Sequence, residues 1–143
     1  MAPTSRPMAI AAAAAKSFRS KPRAALSAER GRRAERVAAD YLTAAGFAVL
    51  ATNVRLGRGE IDIVARRAGL LVAVEVRTRG PRALAGPFAS VTLTKRKRCR
   101  SALEALWKYH EHDATIRRVR FDVAAVYLDR VPVEIEIAEG VSL

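Results

Sequence analysis

The sequence predicts an α/β fold in the order helix, three strands, helix, two strands. Three observations carry this. Apolar residues recur at helical spacing ahead of Gly46 and again over 93–110. Between them lie runs with strand character, separated by short glycine-containing turns. One of those runs, Leu70 to Thr78, is almost continuously apolar, as expected of a central strand covered on both faces.

In order, the fold begins near Ser27. Ala34, Val37, Ala38, Tyr41, Leu42 and Ala45 form a helical stripe that stops at Gly46, a residue suited to a left-handed terminus. Phe47 to Thr52 reads as the first strand, and Leu56-Gly57-Arg58-Gly59 as a turn. Glu60 to Arg66 is the second strand, with Ile61, Ile63 and Ala65 alternating against Asp62 and Val64. Arg67-Ala68-Gly69 turns it into Leu70–Thr78 as a hairpin. Residues 79–89 hold two glycines and two prolines and read as a loop. A second helix spans about Leu93 to His110, capped by Thr92 or Thr94, with Cys99, Ala102, Leu103, Leu106 and Trp107 as its buried stripe. Val119–Leu128 and Val133–Ile137 are the last strands.

The 143 residues suit one domain over 27–143, and 50% hydrophobic content can fill a core. Residues 1–26 are basic, Ala-rich and of low complexity, and are expected to be disordered. Within them Met8–Ala15, between Arg6 and Lys16, reads as part of that tail; a weak export signal is the alternative. A single cysteine excludes an internal disulfide and points to a reducing, cytoplasmic setting. No apolar run approaches the ~20 residues of a spanning helix. The net charge is +12, of which residues 1–33 contribute +7 (eight Lys or Arg against one Glu) and residues 34–143 +5. A basic body points to an anionic partner, nucleic acid first, with acidic proteins and lipid surfaces as alternatives.

Chemistry concentrates around Glu75. A carboxylate six residues into an apolar strand loses its hydration, a cost that only a cation or good donors can offset. Alternation puts Arg77 on the same face. Asp62, thirteen residues earlier, can be brought alongside by the hairpin. Two converging carboxylates repel unless a divalent cation lies between them, and Mg²⁺ takes oxygen ligands of this kind. The alternative is a pair of hairpin acids salt-bridged to Arg77 and Arg79. Lys95-Arg96-Lys97-Arg98-Cys99-Arg100 places five cations in the first turns of a helix, where the dipole disfavours them. That placement favours phosphate contact over a merely solvated face. Arg117, Arg118 and Arg120 are candidates to extend the surface. His110, His112 and Asp113 read as a solvated helix end rather than a metal cluster, Cys99 as a packed hydrophobe, and Asp122 as a structural acid. Trp107 and Tyr109 have base stacking as their alternative role, and Glu60 supports the strand start.

Four segments in order, Gly59-Glu60-Ile61-Asp62, Val74-Glu75-Val76-Arg77-Thr78-Arg79, Ser90-Val91-Thr92 with Lys95, and Arg120-Phe121-Asp122-Val123, resemble the YraN-type uncharacterised protein family over residues 28–128. That family belongs to the restriction-endonuclease-like superfamily and is similar to archaeal Holliday-junction resolvases. The resemblance implies a central mixed sheet flanked by helices. It implies a Mg²⁺- or Mn²⁺-dependent nuclease, an endonuclease-type hydrolase acting on DNA, with branched DNA as the substrate class. Asp62 and Glu75 match the metal-binding acids, the Val76 carbonyl adds a ligand, and Glu35 matches an acid on the first helix. Arg77 falls where the superfamily carries a catalytic lysine. Arginine stays charged at ordinary pH and serves poorly as a base, so a non-catalytic nucleic-acid-binding module stands as the alternative. A basic interaction protein for an acidic partner is the second. Arg58 and the 79–89 loop would border the cleft, and a homodimer is the oligomer that the resemblance implies.

Overall fold

The computed structural model describes residues 22–80 and 91–143. Its elements are α1 (Pro22–Ala44), β1 (Ala48–Leu56), β2 (Gly59–Arg67), β3 (Leu70–Thr78), α2 (Leu93–His110), β4 (Arg118–Tyr127) and β5 (Glu134–Ala138). The five strands form one mixed sheet in the order β1-β2-β3-β4-β5. Every neighbouring pair is antiparallel except β3 and β4, which run parallel. A parallel pair needs a crossover, and α2 lies within it. The expected α/β class and αβββαββ order therefore hold.

The two helices cover opposite faces. Ala34, Ala38 and Leu42 of α1 pack with Ile63, Val72, Val74, Ala124 and Val126. Cys99, Ala102 and Leu106 of α2 pack with Val64, Leu71, Ala73, Phe121 and Val123. This explains the unbroken apolar run of β3: even positions serve α1 and odd positions serve α2. The odd series continues into Glu75 and Arg77, so both belong to the α2 face.

α1 ends in a Schellman motif. Gly46 (φ +87°) follows the helix, the Gly46 N–H donates to the Thr43 carbonyl and the Phe47 N–H to the Leu42 carbonyl. Arg67 locks the corner by donating to the Ala45 carbonyl while its guanidinium lies 4.4 Å over the Phe47 ring. Asp122 is buried as a structural acid: Arg120 donates to both its oxygens at 2.8 and 2.9 Å, and the Gly140 N–H adds a third bond.

Three boundaries or burial assignments differ from the sequence reading. α1 starts at Pro22, five residues before Ser27. β1 continues to Leu56 rather than stopping at Thr52, because Asn53 takes a left-handed conformation (φ +52°) that breaks the alternation without ending the pairing. Trp107 is 43% exposed. The buried seam of α2 is Cys99, Ala102 and Leu106, and Trp107 stands one residue, about 100°, further round the helix. The expectations for residues 1–21, including Met8–Ala15, and for Ser90 and most of the 79–89 loop lie outside the described residues.

Candidate active site

The β2–β3 ladder runs from Arg67↔Leu70 to Ile63↔Val74 and then stops. The next facing positions are Asp62 and Glu75. Here the Asp62 carboxylate takes over a role that a strand carbonyl had held, accepting the Val76 N–H through Oδ2 at 2.7 Å. The hairpin thus opens where the two acids meet, close enough for the charge of Glu75 to act on Asp62.

Their electrostatics are unfavourable as a pair. Burial, then the charge of Glu75, push the Asp62 carboxyl up from 3.8 to about 7, against the opposing Val76 N–H. Glu35 adds a smaller push in the same direction. Glu35 reaches the region from α1 and is held by Asn53, whose Nδ2 donates to its Oε2 at 3.1 Å. The left-handed turn of β1 at Asn53 is therefore also the point that steadies Glu35.

Glu75 is 4% exposed and draws two cations. Lys95 Nζ lies 3.0 Å from its Oε1, and Arg77 Nε lies 3.7 Å from the same oxygen. Burial alone would lower the Lys95 ammonium, but its hydrogen bond to Glu75 and that charge outweigh burial and hold it above lysine's ordinary value. The Arg77 Nε is buried and has no hydrogen-bond acceptor among the described residues. α2 delivers Lys95 because Thr92 caps the helix, its Oγ1 accepting the Lys95 N–H at 3.2 Å.

Asp62, Glu75, Arg77 and Lys95 are thus brought together, with Glu35 within electrostatic reach and Val76 tied to Asp62 by its N–H. Arg58, Lys97 and Arg98 lie beside them around two cavities described below. Arg100 is on another side of α2, where its guanidinium donates to the Leu143 carbonyl. Arg96 and Arg79 are half-buried, and the Arg79 N–H donates to the Val126 carbonyl. Arg117 and Arg118 do not extend this surface: Leu70↔Arg118 pairing puts them at the opposite end of β3 from Arg77. Arg120 is occupied by Asp122 and Glu139. The sequence reading placed Lys95 among the phosphate contacts and missed its bond to Glu75. It missed Asn53 altogether. The cap at Thr92 was the available signal for Lys95.

Among the described residues, no three His, Cys, Asp or Glu side chains converge as a metal cluster. His112 stands 93% exposed at the end of α2, and Asp113 accepts the Thr115 N–H and hydroxyl at the surface. The Asp62–Glu75 pair nonetheless fits a hard divalent cation. Mg²⁺ commonly uses one or two carboxylates and completes its shell with water and substrate oxygens, and a cation between these acids would relieve their repulsion.

Fold and site together define an α/β protein with a paired-carboxylate centre, flanked by a guanidinium and an ammonium, where the C-terminal half of β3 parts from the start of β2. The chain belongs to the uncharacterised protein family UPF0102, the YraN family, whose profile matches residues 34–126. It is 40% identical over 97 residues to a UPF0102 protein of Sorangium cellulosum, covering 67% of each chain. It is 47% identical over 96 residues to one of Beutenbergia cavernae, covering 67% of this chain and 80% of the relative. A UPF0102 protein of Streptomyces coelicolor is 44% identical over 115 residues, covering 78% and 87%. No described helix is long and apolar enough to cross a membrane.

Proposed function

We propose that this protein binds nucleic acid and hydrolyses its phosphodiester bonds with Mg²⁺ or Mn²⁺, with branched DNA as the preferred substrate class. The observation that carries this is the meeting of Asp62 and Glu75 where the hairpin opens, with the Asp62 carboxyl pushed up to about 7 by burial and then by the charge of Glu75. Asp62 and Glu75, with the Val76 carbonyl, would hold the cation. A divalent ion there would stabilise the charge that develops on a scissile phosphate.

The chain's own residues have separable tasks. Arg77, permanently charged and half-buried beside Glu75, binds the phosphate. Lys95, 3.0 Å from the Glu75 carboxylate, holds that side chain in place. Glu35 and Asn53 sustain the negative field behind Asp62. The basic start of α2 and Arg58 hold the flanking backbone.

Branched, duplex and single-stranded DNA and a matched RNA, each incubated with Mg²⁺, Mn²⁺ or EDTA, test the reading. Metal-dependent cutting by the wild type, lost in both Asp62→Asn and Glu75→Gln, is the expected result. A second reading, a binding module without hydrolysis, rests on Arg77, which cannot exchange a proton at ordinary pH. Binding without cutting under every condition would establish that module and end the nuclease proposal.

A further inference from the structure

Next to the paired acids lies a cavity of about 360 Å³, walled by the β1–β2 turn and the first two turns of α2. Its lining carries Arg55, Arg58, Lys95 and Arg98 against the single acid Glu60. Lys95 is committed to Glu75. No ion pair within 4 Å involves Arg55, Arg58, Arg98 or Glu60 among the described residues. Three unpaired guanidiniums around one hollow repel one another, and an anion would relieve that repulsion. A second hollow, about 640 Å³ and lined by Arg58, Thr94, Lys97, Arg98 and Ser101, shares Arg58 and Arg98 with the first.

The wall between turn and helix is built closely. A Cβ at Gly59 would stand 2.2 Å from the Arg98 carbonyl oxygen, and one at Gly57 would stand 2.8 Å from Ser101 Oγ. The Arg58 N–H donates to Ser101 Oγ at 3.1 Å. The backbone that carries Arg58 is therefore seated on the helix that carries Arg98.

We propose that Arg58 and Arg98, with Arg55 behind them, form a phosphoryl-group subsite beside the acid centre. It receives a second phosphate of the strand bound at Arg77. This rests on the nucleic-acid reading above but not on hydrolysis. The ligand chemistry, a phosphate oxyanion, is shared by an internal phosphodiester and a strand's terminal phosphate.

Fluorescence anisotropy in EDTA tests it, using oligonucleotides with and without a 5′-phosphate across a salt series. Arg58→Gln and Arg98→Gln should each lower the log–log salt slope by about one. Arg98→Lys should restore most of the slope, and Arg117→Gln, at the far end of the sheet, should leave it unchanged. An equal loss on both oligonucleotides identifies an internal phosphodiester; a loss confined to the phosphorylated one identifies a terminal phosphate. Unchanged slopes for both Gln variants, with wild-type melting temperatures, would overturn the subsite. Since no metal is present, a failure of cleavage leaves this result standing. Cleavage with unchanged slopes removes the subsite alone.

Discussion

Replacing Asp62 by Asn should make the metal-free protein more stable at alkaline pH. Asp62 is pushed up from 3.8 to about 7, so between about pH 4 and pH 7 the folded protein keeps a proton that the unfolded chain has released. The native state then binds more protons than the unfolded state, and stability must fall as pH rises through that window. The differential is about 4 kcal/mol when complete, at about 1.4 kcal/mol per pH unit. Asn removes it while its side-chain oxygen can still accept the Val76 N–H. In EDTA at pH 8.5 the variant should exceed the wild type by about 2–4 kcal/mol, a rise of roughly 10 °C in melting temperature for a domain of this size. At pH 3 the two should melt almost together, because Asp62 is then mostly protonated in both the folded and the unfolded wild type. Urea titrations at half-unit pH intervals supply the curve. Added Mg²⁺ or Mn²⁺ should narrow the alkaline gap by stabilising only the wild type. A difference between the proteins that does not change from pH 3 to 8.5 would refute the reasoning.

Two further outcomes follow from packing. Asp122→Ala strips a buried carboxylate from Arg120 and the Gly140 N–H, and should cost about 3–5 kcal/mol in urea unfolding, with the last residues after β5 losing amide protection first. Gly59→Ala drives a methyl group into the Arg98 carbonyl and should cost about 1–3 kcal/mol, with a fall in nucleic-acid affinity that exceeds that of an alanine substitution at an exposed position of β1.

The parts legible in the sequence are those set by local periodicity. β3 stood out because both of its faces are buried, and Glu75 because one charge interrupts that run. The partnership of Asp62 with Glu75 followed from hairpin arithmetic, since the two positions face each other across a short turn. What stayed hidden depends on how distant elements dock. Lys95 reaches Glu75 only because α2 crosses back over β3 with its capped end toward the acids. Asn53 meets Glu35 only because one residue of β1 adopts a left-handed backbone. Trp107 looked apolar enough for the core, but the buried seam of α2 is narrow, only Cys99, Ala102 and Leu106, so the indole stays outside. Arg117 and Arg118 share the charge of the basic helix but not its end of the sheet.

The bond from the Val76 N–H to Asp62 has a bearing on recognition itself. One oxygen of that carboxyl is clamped by a neighbouring strand, so the side chain surrenders its rotational freedom when the sheet assembles, not when a guest arrives. Whatever docks against the other oxygen meets an acceptor already aimed, and its affinity is not diminished by the need to immobilise it.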